Sequence, residues 1–428
     1  MKEVTIKLKR FLKSKFLDNT NKKNNKGART FPQFKFSENS KPFITDLFKR
    51  MNESQIMIGS MKMDTYHIKD HKLIPRSNDH DYLPECIKTE IDKMDKNAYT
   101  YRFHLLNKEY QVAFIYPINK NYTEHIFHQR IHKIMMWLYI ANKFASPKCS
   151  QKMNIFIYFT DLKKKLPTQH KTIQPEHANT AYTTSCQTTT EINLFREEEW
   201  FKVLIHETFH NLGLDFSEMT ENHYKNAVLS IFHVNSDVNL FETYCEMWAE
   251  IMNVLFIVYL TNNTKNMDTL IIKTENLLSY ERIFSLFQCV KVLHFYGLTY
   301  NEIYENTSNN HISRTHKFRE KDTNVLSYYI IKCILMFFTN EFIEWCMSNN
   351  KNSLDFYKTT DSIQSYCELV QTYYKNPDFL NCISVIERWF KQKTNTRFFN
   401  HCNSPNNKNK TRKQCDIMNT MRMSVFES

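Results

Sequence analysis

The spacing of hydrophobic positions alternates between two periods in the middle of the chain. Residues 108–117 and 153–162 are dense in apolar, β-branched and aromatic side chains, which predicts two buried strands. Between them, apolar residues at helical spacing without Pro or Gly predict an amphipathic helix over 122–145. Thr-rich and aromatic stretches within 181–195 predict further extended segments. The order of these elements predicts an α+β fold built on a mixed sheet.

The spacing becomes helical from residue 196 onward. The segment 196–213 predicts an amphipathic helix with three glutamates, at 197–199, in its first turn, where the helix dipole favours acidic side chains, and with Gly213 at its end. A second helix is predicted at about 238–260, and nearly every segment beyond 268 has helical spacing. Polar breaks fall at 261–267, 303–324 and 403–414.

Three regions follow from this pattern. Residues 1–100 are expected to form a basic N-terminal arm, with a flexible polar stretch at 17–30, and a small, poorly defined region. Residues 101–262 are expected to form one domain that carries the sheet and both of these helices. Residues 263–428 are expected to form a mainly helical subdomain with a basic tail.

Composition excludes two large classes of nucleotide-binding protein. The chain has 428 residues, of which 42% are hydrophobic and 14% aromatic, so it can bury a large core and is expected to be globular. It has only 4 glycines, all far apart in the sequence. A dinucleotide-binding fingerprint or a P-loop needs glycines close together, because only glycine lets main-chain N–H groups approach a phosphate in a tight turn.

The excess positive charge is concentrated at the ends of the chain. Lys and Arg number 57 against 45 Asp and Glu, a formal net charge of +12 at pH 7, and cations dominate the N-terminal segment and residues 408–414. We interpret these ends as solvated, lysine-rich segments. Contact with nucleic acid is a weaker alternative, because no aromatic stacking platform or Arg-Gly pattern accompanies the charge.

The cysteines and the apolar segments bear on the compartment. The 11 cysteines are spread along the chain without a CxxC pair, which favours reduced thiols over a disulfide framework or a zinc ribbon. The N-terminal segment is interrupted by cations and lacks the apolar stretch of a secretory signal. The longest apolar segments, near 254–260 and 334–338, are shorter than the roughly 20 residues of a membrane span. The sequence predicts an intracellular protein without a membrane span, in a reducing compartment.

The segment His-Glu-Thr-Phe-His at 206–210 matches the HExxH pattern of metal-binding helices. Residues four apart lie on one face of a helix, so His206 and His210 are expected to hold one ion between their imidazoles. Glu207 is placed to take a proton from a water at that ion. A separate apolar stripe already explains how this helix packs, which argues against an ordinary surface face for the three polar residues.

The next predicted helix offers carboxylates for the same ion. Glu242, Glu246 and Glu250 recur at spacing four in an otherwise apolar and aromatic setting, where a carboxylate is costly unless it is paired or bound to a metal. One of them is expected to close the site. Asp215, just beyond the first helix, could instead reach the ion as the third ligand or bond to a ligand histidine. Glu250, taken alone and late in its helix, is interpreted as solvated.

The stretches HETFHNLGLDF and FETYCEMWAEIMN resemble the zincin metallopeptidases, and within them the gluzincins. The same stretches and the tail TMRMSVFE look similar to zinc metallopeptidases assigned to nucleocytoplasmic large DNA viruses, and the Lys- and Asn-rich composition suits an AT-rich viral genome. The resemblance covers about 150–428 and is sharp only at 203–253. It implies a zincin-like mixed sheet with an active-site helix and one Zn²⁺ per chain.

The resemblance also implies residue roles. It makes Glu242 the third zinc ligand and Glu246 the carboxylate that orients a ligand histidine, with Glu246 and Glu250 as the same pair shifted by one turn. The metzincin branch would require a histidine at position 216, where Phe216 stands, so that branch is not favoured. Asp215 stays open as the third ligand.

Gluzincins also use a Tyr or His beyond the ligands to steady the oxyanion of the reaction, a role that Tyr328, Tyr329 or His294 would fill here. A separate set of histidines lies on the predicted helix at 122–145. His125, His128 and His132 share one face of that helix, but without an acidic partner at suitable spacing we interpret them as part of its polar surface.

We therefore expect a zinc-dependent peptidase that acts on peptide or protein substrates. The alternative is a zincin-shaped structural protein, such as a virion component, whose zinc site does not turn over substrate. An intact Glu207 favours the peptidase, since a structural site needs no general base and is more often closed by a fourth protein ligand. If the chain is viral, it is expected in the host cytoplasm or in the virion.

Overall fold

The computed structural model describes residues 2–17, 31–78, 83–167, 172–219, 222–305, 317–318, 320, 323–394 and 416–427. The polar stretch predicted to be flexible, apart from its first residue, lies outside the described residues, and so does the basic segment 408–414. The polar breaks predicted at 303–324 and 403–414 lie partly or wholly outside them as well.

Six strands form one mixed sheet in the described part of the chain. The strands are β1 (Asp64–Ile68), β2 (Lys96–Leu105), β3 (Lys108–Pro117), β4 (Lys152–Tyr158), β5 (Ala181–Thr183) and β6 (Thr189–Leu194). Their order across the sheet is β1-β2-β3-β4-β6-β5. The pairs β3 with β4 and β4 with β6 are parallel, whereas β1 with β2, β2 with β3 and β5 with β6 are antiparallel. The short strand β5 is therefore one edge of the sheet.

The central strands are buried on both faces. Along β3, Val112 and Phe114 belong to the main core, while Ala113 and Ile115 belong to a smaller core that contains Ile87 of the helix Glu85–Lys93. Successive side chains of a strand point to opposite faces, so a strand covered on both sides reads as a continuous apolar run. This explains why the strands at 108–117 and 153–162 could be recognised from their apolar composition alone.

Helices cover the sheet and form most of the remaining chain, so the predicted α+β fold with a helical C-terminal region is confirmed. The helices before the HExxH motif are Glu3–Leu12, continued by a π-helical turn Lys13–Leu17, then Lys41–Gly59, the 3-10 turn His71–Leu73, Glu85–Lys93, Glu124–Asn142 and Pro175–Ala178. Those from the motif onward are Trp200–Asn211, Asn222–Ile231, Leu240–Thr261, Met267–Phe295, Tyr300–Tyr304, the π-helical Leu326–Ile331, then Lys332–Phe337, Thr339–Asn349, Thr360–Tyr373 and Pro377–Thr394. Below, Trp200–Asn211 is called the HExxH helix and Leu240–Thr261 the Glu242 helix.

Among the described residues, no single helix has both the length and the apolar character that a membrane crossing requires. The consecutive segments Leu326–Phe337 and Thr339–Asn349 meet the two criteria only when taken together, and they are bent by 91° where they join.

The two ends of the chain bind each other inside the fold. The hydroxyl of Thr5, in the first helix, donates to the Val425 carbonyl at 3.0 Å and accepts from the Glu427 N–H at 3.1 Å. The Lys2 ammonium forms an ion pair with the Glu427 carboxylate at 3.1 Å. Residues 416–427, called the C-terminal tail, are thus an integral part of the core and not a free extension.

The prediction that three glutamates, at 197–199, occupy the first turn of the HExxH helix is wrong. That helix begins at Trp200, and Glu199 has a φ of 58°, so all three residues precede it. Glu199 accepts two main-chain hydrogen bonds from the C-terminal tail, at 2.7 and 3.1 Å, and the other two form ion pairs with Arg130 and Arg422, at 3.0 and 3.4 Å. Buried carboxylates gain more from cations and N–H donors at contact distance than from a helix dipole.

A disulfide joins Cys149 to Cys186, so the expectation that all thiols are reduced is wrong for this pair. The two residues are 37 positions apart and belong to no short motif, which is why their spacing gave no signal. The bond ties the segment before β4 to the turn between β5 and β6. Gly213, with a φ of 63° at the end of the HExxH helix, packs directly against it.

Gly213→Ala is expected to destabilise the protein more than the matched change Gly297→Ala. Both glycines have a positive φ, which costs an alanine about 1–2 kcal/mol. A Cβ at Gly213 would also lie 3.2 Å from the Cys186 Cβ and 3.3 Å from the Cys149 Sγ, whereas a Cβ at Gly297 would meet no atom within 4 Å. Urea midpoints of the two oxidised variants measure the difference, and equal midpoints would contradict the close packing against the disulfide.

Candidate metal centre

The two motif histidines face each other from successive turns of the HExxH helix. Their Nε2 atoms lie 3.1 Å apart. The opposite side of the helix is anchored in the core, where the Trp137 indole N–H donates to the Thr208 hydroxyl at 2.6 Å and the Trp137 ring stacks on Phe209. This anchoring fixes the rotation of the helix, and with it the direction in which His206 and His210 point.

The Glu242 helix brings a carboxylate to the same point. Glu242 lies in its first turn, and its Oε2 atom is 3.0 Å from the His206 Nε2 and 3.4 Å from the His210 Nε2. All three side chains are largely buried, with 6, 12 and 13% exposure for His206, His210 and Glu242. The structure therefore brings the three predicted metal ligands together.

The donor atoms fit a tetrahedral metal ion. Their mutual distances are 3.0, 3.1 and 3.4 Å. Ligands at about 2.0–2.1 Å from a tetrahedral zinc lie roughly 3.3 Å from one another. Two imidazole nitrogens and one carboxylate oxygen are also a donor set that catalytic zinc sites use, with the fourth position left open. These residues fit Zn²⁺ by both geometry and chemistry.

Each histidine has a carboxylate near its other nitrogen. The Nδ1 of His210 forms a hydrogen bond with Asp215 Oδ2 at 2.5 Å, and the Nδ1 of His206 lies 3.2 Å from Glu246 Oε2 without hydrogen-bond geometry. The bond with Asp215 fixes the tautomer of His210, so that its Nε2 can face an ion, and Glu246 places a negative charge beside the Nδ1 side of the His206 ring. Asp215, weighed above as a third ligand, lies on the Nδ1 side of His210, away from the point that the two Nε2 atoms share.

Asp215 and His210 also belong to a second grouping, which sequence reasoning did not find. The His210 Nδ1, the Asp215 Oδ2 and the Cys245 Sγ lie within 4.8 Å of one another. The Cys245 thiol is 3.8 Å from each of the other two atoms, too far for a strong bond. Because the contact at 2.5 Å between Asp215 and His210 engages the Nδ1, we assign this grouping to the support of His210.

Glu246 forms a buried ion pair with Lys202, which lies four residues before His206 on the HExxH helix. The Lys202 Nζ donates to both carboxylate oxygens, at 2.5 and 2.8 Å, and both side chains are almost fully buried. Burial alone would raise the pKa of Glu246, but Lys202 and His206 outweigh it and hold that pKa well below its usual value. Glu246 therefore stays ionised beside His206.

The pKa values of both histidines are raised. Burial lowers the pKa of His206, but the carboxylates of Glu242 and Glu246 outweigh it. Burial also lowers the pKa of His210, but the negative charges of Asp215 and Glu242 contribute to raising it well above its usual value. A metal ion must displace these protons, so its apparent affinity falls as the pH is lowered.

Glu207 lines the cleft beside the histidines. Its side chain is 8% exposed, and burial raises the pKa of its carboxyl against the opposing influence of His206 and His210. A carboxylate with a raised pKa takes and returns a proton more readily near neutral pH, which is the requirement for a general base.

A cleft of about 380 Å³ opens over these residues, and β5 forms one of its sides. On either side of β5, the Thr180 carbonyl accepts from the Phe195 N–H at 3.0 Å and the Thr184 N–H donates to the Glu191 carbonyl at 3.1 Å. In an antiparallel pair, alternate residues point their main-chain groups away from the partner, so those of Ala181 and Thr183 face outward. The remaining lining comes from both helices and from more distant segments, and it includes Lys164, Asn179, Val203, Ser217, Phe241, Asn324, Tyr328 and Met423.

The candidates for the oxyanion donor lie in different places. The Tyr328 hydroxyl lines the cleft and donates to Glu242 Oε2 at 2.6 Å. The Tyr329 hydroxyl points away and donates to the Met421 carbonyl at 2.6 Å. His294 packs beside the Phe390 ring and does not line the cleft. Of the three, the structure brings only Tyr328 to the predicted ligands.

The interpretation of Glu250 as a solvated side chain is wrong. Glu250 is fully buried, and its carboxylate forms an ion pair with the Lys332 ammonium at 2.9 Å. Lys332 lies on a helix 82 residues later in the chain, so no local sequence pattern could predict it as the partner of Glu250.

The histidines of the helix Glu124–Asn142 lie on its outer face. His125 and His132 are exposed and His128 is half-buried, 3.3 Å from the Glu124 carboxylate. Among the described residues, the groups with metal-ligand geometry do not include them.

Known proteins were compared with this chain. No protein-family model, curated protein or solved structure matches it at a significant level. The geometry of the site therefore carries the functional conclusion.

Removing the three candidate carboxylates one at a time should rank their contributions to metal binding. We expect Glu242→Ala to strip the metal, because it removes a ligand atom, and Glu246→Ala to retain metal with an affinity lowered about 10–100-fold. Asp215→Ala should have the mildest effect of the three on zinc content. Elemental analysis after dialysis measures the zinc content, and competition with a chromophoric chelator measures the zinc affinity. If the Asp215→Ala variant contained no metal while the Glu242→Ala variant retained zinc, the third ligand would be Asp215 and not Glu242.

Proposed function

We propose that this protein is a zinc-dependent peptidase. The observation that carries the proposal is the triangle of His206 Nε2, His210 Nε2 and Glu242 Oε2, with edges of 3.0–3.4 Å, beside the carboxylate of Glu207 in an open cleft. When bound there, zinc would supply a Lewis acid for the scissile carbonyl and lower the pKa of a water.

The edge of the sheet offers a binding surface for an extended peptide. The outward N–H and C=O groups of Ala181 and Thr183 are free to pair with a substrate main chain, which is how sheet edges bind peptides. Because β5 lines the same cleft as the histidines, a peptide paired with it would pass over the candidate metal position. Main-chain pairing constrains the conformation of the substrate and leaves its side-chain sequence open.

Glu207 is the general base in this proposal. It would accept a proton from the attacking water and return it to the departing amine, a use that its raised pKa supports. Lys202, through Glu246, would keep His206 in the orientation that presents Nε2.

Tyr328 would steady the negative charge that develops on the carbonyl oxygen. Its hydroxyl already lies at the ligand set, 2.6 Å from Glu242 Oε2, so it has to exchange this acceptor for the substrate oxygen. A donor of this kind typically lowers the activation barrier by about 2.7–4 kcal/mol.

Glu207→Gln should keep about one zinc per chain and lose peptide hydrolysis. The amide has nearly the same shape as the carboxylate but cannot accept the proton, so binding and catalysis separate. Zinc content by elemental analysis and cleavage of a mixed peptide library measure the two properties. His206→Ala is the matched control, and it should lose both.

Three other outcomes would count against the proposal. Wild-type protein that contains no zinc when purified without chelators would remove the metal centre. Hydrolysis that persists in Glu207→Gln would remove Glu207 from the mechanism. Zinc-loaded wild-type protein that cleaves no member of the library would favour the alternative, a structural protein with a non-catalytic zinc site.

A further inference from the structure

The carboxylate of Glu242 has two oxygens with different surroundings. Oε2 faces the two histidines and accepts the Tyr328 hydroxyl, whereas Oε1 accepts a hydrogen bond from the Asn324 side-chain amide at 3.2 Å. A hydrogen bond at one oxygen favours presentation of the other oxygen to an ion, since a rotation that exchanged the two oxygens would break that bond. The Asn324 amide therefore bears directly on how Glu242 presents itself.

Asn324 is itself fixed from the start of the Glu242 helix. The side-chain amide of Asn239, the residue that precedes this helix, donates to Asn324 Oδ1 at 2.7 Å. This bond fixes which end of the Asn324 amide faces Glu242, because the oxygen is used by Asn239 and the NH₂ group is left for the carboxylate. The side chains of Asn239, Asn324 and Glu242 are thus linked by two consecutive hydrogen bonds at the beginning of the helix.

The backbone of Asn324 is strained in a way that suits this role. Its φ is 53°, in the left-handed region that asparagine tolerates better than most residues. Its carbonyl accepts from the Tyr328 N–H at 2.9 Å, so the same residue also begins the helical segment that carries Tyr328. A residue other than glycine keeps a positive φ only where its surroundings hold it there, and here the hydrogen bonds of Asn324 do so.

We propose that Asn324 is a positioning residue that holds Glu242 as a one-oxygen ligand of the metal, with Asn239 fixing the orientation of its amide. This inference rests on the proposed metal centre, but it concerns a residue that the HExxH pattern does not include. It requires no contact between Asn324 and the ion, and it predicts an effect on metal affinity and on ligand geometry.

Asn324→Gly tests the inference with little change to the backbone, because glycine adopts a positive φ at no steric cost. We expect the zinc affinity to fall about 10–100-fold, as for other residues that orient a metal ligand. The visible absorption spectrum of the Co²⁺-substituted protein should also shift, since a released Glu242 can rotate or bind through both oxygens. Chelator competition and the Co²⁺ spectrum measure these effects without reference to hydrolysis.

Asn107→Gly is the matched control. Asn107 is an exposed asparagine with a φ of 63° in the turn between β2 and β3, so the same substitution there removes a strained amide far from the centre. It should leave the zinc affinity and the Co²⁺ spectrum unchanged. Thermal midpoints of the metal-free proteins separate a positioning effect from a loss of fold.

Asn239→Ala provides a second route that leaves residue 324 intact. It removes the donor to Asn324 Oδ1, so it should weaken zinc binding in the same direction, and the double variant Asn239→Ala with Asn324→Gly should be no weaker than Asn324→Gly alone. Wild-type affinity and spectrum in both single variants would overturn the inference. A wild-type protein that binds no metal at all would instead overturn the proposed function on which it rests.

Discussion

The arrangement of this protein depends on one constraint, the pairing of carboxylates buried along one face of the Glu242 helix. Glu242, Glu246 and Glu250 recur at spacing four and lie largely or wholly inside the protein. Their partners come from the HExxH helix, through the histidines and Lys202, and from Lys332. Removing one partner of a buried pair typically costs about 3–5 kcal/mol, because the remaining charge is left without compensation. Ion pairs as well as apolar packing therefore fix how the two helices align.

The same constraint extends to the ends of the chain. Glu281 lies buried on the helix Met267–Phe295 and accepts hydrogen bonds from the Val425 and Phe426 N–H groups of the C-terminal tail. Burial raises the pKa of Glu281 to about 7 against these bonds. Met423 of the same tail lines the cleft, and its main-chain carbonyl accepts from Lys332 at 3.3 Å. The C-terminal tail thus donates hydrogen bonds to buried carboxylates and also forms part of the wall of the cleft.

The sequence predicted what depends on periodicity and failed where partners are distant. The HExxH helix and the Glu242 helix follow a spacing of 3.6, and the central strands are continuous apolar runs. The structure contains all of them, although the HExxH helix begins at Trp200 instead of 196 and β4 ends at Tyr158 instead of 162. Glu250 was misjudged because its partner lies on a helix far along the chain, and the disulfide and Asn324 were missed for the same reason. Lys202 could have been found, since it precedes His206 by one turn and sits in an apolar stretch where an unpaired ammonium is costly.

The candidate metal centre and the wall of the cleft are joined through one side chain. β5 has only three residues, so few bonds of its own set its position. Asn211 follows the candidate ligand His210 directly, and its amide donates to the Thr183 hydroxyl at 3.1 Å, while its own side-chain oxygen accepts from Ser150 beside the disulfide at 2.6 Å. These contacts tie the edge strand to the helix that carries both motif histidines. A peptide that paired with β5 would therefore lie at a distance from the candidate metal position that Asn211 helps to set.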